Sequence, residues 1–220
     1  MRCMIGSRGL FMMTSINVKE ESGLKFAFPE KSTVIKFDDT QFYREFFNKL
    51  PESKGVDFIS VDKNEIAFIE VKNCTGDEGN CRWRIAPDNQ KKDRTHTNVD
   101  IVGRDSLDIE VSQKVAMTIA ALIGAKSFEN SKECVKEFEK CIRFISQDTF
   151  VNVSKKKYVI LFLEGEFGSK TRSKKMIMNE LQKSINRKLK WINCSVSVVD
   201  SDTYNSCLLY TSDAATNREV

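Results

Sequence analysis

The chain has a single histidine, His96, in 220 residues. Chemistry that needs paired imidazoles is therefore unavailable to it. Its charges are balanced, 35 Lys and Arg against 31 Asp and Glu, so the mild net charge of +4 permits a nucleic-acid partner without arguing for one. No stretch approaches the ~18 consecutive apolar residues of a membrane span. Leu10-Phe11-Met12-Met13 is too short for a secretory h-region. There is no CxxC pair. Cys74 and Cys81 with His96 would make only an incomplete zinc set, lacking a fourth ligand. The seven cysteines are accordingly read as free thiols in a reducing, cytoplasmic setting. The glycines of Gly165 to Thr171 do not form a phosphate loop either, because none directly precedes Lys170.

What is present is a densely patterned stretch from Lys54 to Asn73, KGVDFISVDKNEIAFIEVKN. It reads as a β-hairpin, with Phe58–Val61 and Ile66–Val71 as strands and Asp62-Lys63-Asn64-Glu65 as the turn. With Lys63-Asn64 as a two-residue loop, Asp62 faces Glu65 and Asp57 lands opposite Glu70. Residues directly opposite share a face, with Cβ atoms roughly 4.5–5.5 Å apart, and Lys72 follows on that face two residues later. Ile59, Val61, Ile66 and Phe68 lie on it too, while Phe58, Ala67, Ile69 and Val71 lie on the other. Strands apolar on both faces are central and covered on both sides. Two opposed carboxylates repel, and a hard divalent cation would compensate them.

Asp57 followed by Glu70-Val71-Lys72 at the end of the next strand resembles the active-site signature of the PD-(D/E)XK nuclease superfamily. The resemblance covers about Phe42 to Gly165, and Val56 stands where the signature has proline. It implies a restriction-endonuclease-like α/β fold, a mixed central sheet with the catalytic hairpin and helices on both faces. It implies metal-dependent hydrolysis of a phosphodiester in nucleic acid, DNA being the favoured partner. Asp57 and Glu70 would bind Mg²⁺ or Mn²⁺, with the carbonyl of Val71 and the helix residue Glu45 as further ligands, and Lys72 would be catalytic. Gln113 would contact nucleotide or water, although the Gln-x-x-x-Tyr pattern of some branches is broken here by Met117. Two other readings stay open: a catalytically silent nucleic-acid-binding module of the same fold, and an interaction protein whose hairpin holds a structural ion pair.

The rest of the chain is read around this hairpin. Residues 1–31 show no sustained periodicity and are read as an irregular extension. One domain spans 32–206: an edge strand at Thr33–Phe37, a helix at Gln41–Leu50 capped from Asp38-Asp39-Thr40, and a long loop at 73–105. That loop carries Arg82, Trp83, Arg84, Lys91 and Lys92, which could grip phosphate and stack a base. A helix at Ser106–Gly124 and a second at Ser131–Ser146 follow. Next come a buried strand at Tyr158–Leu163, a basic loop with Lys170 and Arg172, a helix at Lys174–Trp191 and a strand at Cys194–Val199. Cys207 to Ala215, CLLYTSDAA, resembles a translated sequencing adapter, so 207–220 is set aside as a non-native tail, and Met12 or Met13 is a candidate start. Oligomeric state is open, with a dimer compatible.

Overall fold

The computed structural model describes residues 17–90, 105–128, 133–146 and 155–204. The hairpin is its centre. Strands β4 (Phe58–Val61) and β5 (Glu65–Asn73) pair antiparallel with Phe58 opposite Ile69 and Val61 opposite Ile66. The Asp62 N–H donates to the Glu65 carbonyl (2.9 Å), closing the two-residue Lys63-Asn64 turn. The Asp62 side chain accepts from the N–H groups of Asn64 and Glu65, a short-range bond that favours the turn over continued strand. The register is therefore the one that sets Asp57 against Glu70.

Around it stands a five-stranded mixed sheet of order β3-β4-β5-β6-β7. Strand β3 (Thr33–Lys36) joins β4 antiparallel, whereas β6 (Lys156–Glu164) and β7 (Ser195–Val199) run parallel to β5. The parallel steps need long crossovers. The helices α3 (Leu107–Ala125), α4 (Glu133–Lys136) and α5 (Glu139–Ser146) lie in the first, and α6 (Lys174–Lys188) in the second. The chain is thus α/β with a mixed sheet.

Alternation along β5 builds two cores. Ile66 and Phe68 pack with Ile59 and Val61 beneath the helices, together with Val111, Val115 and Leu122 of α3 and Leu181 and Ile185 of α6. Phe58, Ile69 and Val71 pack on the opposite side. That second face departs from expectation. Among the described residues it is covered by a two-stranded sheet, β1 (Asn17–Glu21) and β2 (Leu24–Phe28), with Phe26 and Phe28 pressed on Phe58 and Phe162. Among the described residues the helices of the two crossovers contribute nothing to that face, where Tyr204 also meets Phe162 edge to face. Part of the extension read as irregular is this hairpin, turned at Ser22 and Gly23, whose positive φ values of 52° and 76° suit a two-residue turn.

Smaller differences have local causes. The first helix, α1 (Gln41–Glu45), is capped by Thr40, which accepts from the Tyr43 N–H, and continues only as a 3₁₀ turn at Phe47–Lys49. Gly124 does not end α3, which runs to Ala125. The segment read as one helix over 131–146 is divided into α4 and α5. Within the expected long loop sits α2 (Glu78–Arg84), pinned to the end of β5 by a Cys74–Cys81 disulfide with Cα atoms 6.1 Å apart. The reading of all seven cysteines as free thiols is corrected at these two. Cys134, Cys141 and Cys194 are free.

Candidate functional site

The site forms where β4 begins and β5 ends. Glu70 is fully buried, and Asp57 is 8% exposed. The Asp57 carboxylate accepts a 2.7 Å hydrogen bond from the Val71 N–H, which fixes it beside its opposite number. In an extended strand a residue's N–H and C=O point to the same side, so the Val71 carbonyl points to the β4 side as well. Lys72 lies 3.1 Å from Glu70 and 3.3 Å from Glu110, on the same face as the pair.

Helix α3 supplies what the sequence reading did not name. It is held over the sheet by apolar packing and by the Thr118 hydroxyl, which accepts from the Val56 N–H just before Asp57 (3.0 Å). It delivers Lys114, whose ammonium is 2.7 Å from Glu70 Oε1 and 3.6 Å from Asp57 Oδ1. One turn earlier it delivers Glu110, which binds Lys72 and the guanidinium of Arg84 on α2. Three carboxylates and three cations thus interlock: Asp57, Glu70 and Glu110 with Lys72, Arg84 and Lys114. The legible signal was Glu110 and Lys114, charges four apart on a helix whose inner side is mostly apolar.

The charges perturb one another strongly. Burial pushes the Glu70 carboxyl up, the neighbouring Asp57 charge pushes it further, and Lys114 and Lys72 pull back only in part, leaving it at about 7. Burial likewise raises Asp57, against the pull of Lys114. Glu110 behaves in the opposite way. Burial would raise it, but Lys72, Arg84 and Lys114 together hold it at about 2. Burial would lower Lys114, yet Glu70 and Asp57 drive it up. Asp38, two residues beyond β3, is raised by burial and then by the Asp57 charge, which places a further carboxyl at this end of the sheet.

One buried oxygen stands out. Glu70 Oε2 has no hydrogen-bond partner among the described residues, although its residue is wholly out of water. Such an atom costs about 1–3 kcal/mol unless a proton, a water or a cation satisfies it. Asp57 and Glu70 could hold one hard cation that keeps several waters, the habit of Mg²⁺. Among the described residues no three His, Cys, Asp or Glu side chains converge on one point, which removes a cage made of side chains alone.

The remaining expected site residues scatter. Glu45 is on the exposed side of α1, accepting from Gln41, and no contact joins it to the carboxylate pair. Gln113 is exposed and accepts from Lys54 (3.1 Å), while its neighbour Lys114 enters the site. Arg82 is exposed, Trp83 is half-buried and accepts at its carbonyl from Asn89, and Arg84 is committed to Glu110. Lys170 is exposed beyond β6, and Arg172 is paired with Glu180. Lys91, Lys92 and His96 lie outside the described residues. Cys74 and Cys81, set aside as an incomplete zinc set, are bonded to each other.

The chain belongs to a family of unknown function, DUF6661, whose model matches residues 40–211. The match takes in the hairpin, the helix that bears Glu110 and Lys114, and both parallel strands that follow. No curated protein and no solved structure matches the chain. No described helix is long and apolar enough to cross a membrane.

Proposed function

We propose that this protein is a metal-dependent nuclease that hydrolyses phosphodiesters in nucleic acid, with DNA as substrate, through Asp57, Glu70 and Lys72. One observation carries the reading. A fully buried glutamate with an unsatisfied oxygen stands beside an aspartate tethered to the same strand, and a lysine follows two residues on. The antiparallel hairpin continued by parallel β-α-β units supports a restriction-endonuclease-like core. The site sits at the carboxyl end of β5, the end where open α/β sheets take ligands. The exposed side chains of Arg82 and Lys170 follow the carboxyl ends of β5 and β6, so they flank the same end.

Asp57 and Glu70 would hold Mg²⁺ or Mn²⁺, with the Val71 carbonyl turned to the same side. Bound there, such an ion supplies a polarised phosphate oxygen and a more acidic water. Asp57 is kept in place by the Val71 N–H. Lys72 orients the attacking water or neutralises charge that builds on the phosphate oxygens. Glu110 holds the Lys72 ammonium in position.

A second reading rests on a different observation. Lys114 already sits on both carboxylates, as it would in a silent module whose ion-pair group is purely structural. Cleavage decides between them. Linear, nicked, branched and single-stranded substrates would be incubated with Mg²⁺ or Mn²⁺, with EDTA controls. Metal-dependent cutting that falls by about 100-fold or more in Glu70→Ala and Lys72→Ala is the expected result. Nucleic acid bound but never cut would replace the nuclease with the silent module. Neither cutting nor binding would leave the structural ion-pair group.

A further inference from the structure

We infer that Lys114 is a resident counter-ion of the Asp57–Glu70 pair, and that a divalent cation entering the site displaces its ammonium toward Glu110. The inference rests on the metal-site reading of those two carboxylates and adds a positioning residue to it.

The geometry sets up a competition. The Lys114 ammonium lies 2.7 Å from Glu70 Oε1 and 3.6 Å from Asp57 Oδ1, bridging the two carboxylates that would share an ion. A magnesium-sized ion binds carboxylate oxygens at about 2.0–2.1 Å, so it and the ammonium cannot occupy the same gap. Two cations that close also repel strongly in a desolvated site. Lys114 must therefore yield when the ion arrives.

An acceptor waits one helical turn away. Glu110 precedes Lys114 by four residues on α3, the spacing at which helical side chains are neighbours. The Glu110 carboxylate is already coupled electrostatically to Lys114 and bound to Lys72 and Arg84. The lysine can thus pass from one carboxylate group to the other by rotamer change, without backbone motion. In the metal-free protein the same ammonium suppresses repulsion between Asp57 and Glu70, keeping them side by side.

The test measures Mn²⁺ binding by the free-ion EPR signal, and melting temperature, for the whole chain and its variants. Glu70→Gln serves as the control that assigns binding to this site. Lys114→Met is expected to bind Mn²⁺ at least ~10-fold more tightly than the parent, to melt lower when metal-free, and to gain more in melting temperature from Mn²⁺. Lys114→Arg, which keeps the charge, should stay within ~3-fold of the parent. Glu110→Gln should weaken Mn²⁺ binding more in the parent than in the Lys114→Met background, where the release of Lys72 and Arg84 remains but no displaced Lys114 ammonium needs the acceptor.

Mn²⁺ binding in the parent that is equal or weaker in Lys114→Met would overturn the counter-ion and leave the metal site standing. Folded parent and Lys114→Met that both fail to bind Mn²⁺ would overturn the metal site and the counter-ion together. Should Lys114→Met not fold, Glu110→Gln against the parent decides, and unchanged affinity there would overturn the displacement.

Discussion

Glu70 and Glu110 belong to one ion-pair group, yet pH acts on them in opposite directions. Glu70 is raised from 4.5 to about 7, so the folded protein holds that proton more tightly than the unfolded chain. Its contribution to stability is complete below pH 4.5 and is lost as pH rises through 7. Glu110 is lowered from 4.5 to about 2, so its contribution is complete above pH 4.5 and is lost as pH falls toward 2. In urea unfolding with EDTA present, Glu70→Gln should therefore flatten the decline in stability between these two Glu70 values. Glu110→Gln should cost on the order of 2–3 kcal/mol at neutral pH, with the cost shrinking in acid. A Glu110 variant equally costly at every pH would show that packing, not charge, governs the position. The sequence disclosed Asp57, Glu70 and Lys72 because period-two alternation and a two-residue turn fix which side chains share a face. Lys114 was overlooked because the resemblance drew attention to Gln113, one residue away and about 100° around the helix.

At the scale of elements, α2 is the piece that the sequence did not disclose. Seven residues of mixed charge give little helical periodicity, and its anchor is covalent rather than apolar. The Cys74–Cys81 link holds α2 against the end of β5, and α2 in turn carries Arg84 to Glu110. Closing so short a loop is worth about 2.5 kcal/mol on the chain-entropy account. Reduction, or Cys81→Ser, should thus leave the sheet folded but make residues 78–84 exchange amide hydrogens and yield to protease sooner. Equal protection in reduced and oxidised protein would mean that the Arg84–Glu110 pair and Ile85, buried in the main core just after α2, hold the helix alone. Across from this link, Gly165 has φ +122°, and a Cβ there would lie 3.0 Å from the Cys74 carbonyl carbon and the Thr75 nitrogen. Both are backbone atoms, which cannot swing aside. Gly165→Ala should cost more than about 1 kcal/mol, read as a lower midpoint with an unchanged denaturant slope.

For the whole molecule, the decisive feature is that β5 is buried on both sides by different partners. Its double apolar character was readable, since a strand with Ile66 and Phe68 on one face and Ile69 and Val71 on the other must be central. What covers the second face was not read. β1 and β2 are five residues each with one solvent-facing side, and only Phe26 and Phe28 mark the inner side strongly. The Ser22-Gly23 pair between them was the available turn signal. The consequence reaches the site, because Val71 serves both sides at once. Its side chain is 2% exposed in the core beneath Phe26 and Phe28, and its N–H holds Asp57. Phe26 meets Phe162 edge to face at 5.0 Å and Phe58 at 5.7 Å, so truncating it empties the middle of that core. Phe26→Ala should cost about 3–5 kcal/mol in urea unfolding. If the hairpin only shields the sheet, the Val71 amide should keep its hydrogen-exchange protection relative to Ile59, whose side chain packs in the other core. If the hairpin also steadies the end of β5, protection at Val71 should fall by more than at Ile59. The shared strand predicts the second outcome, with the Asp57 tether loosened from behind.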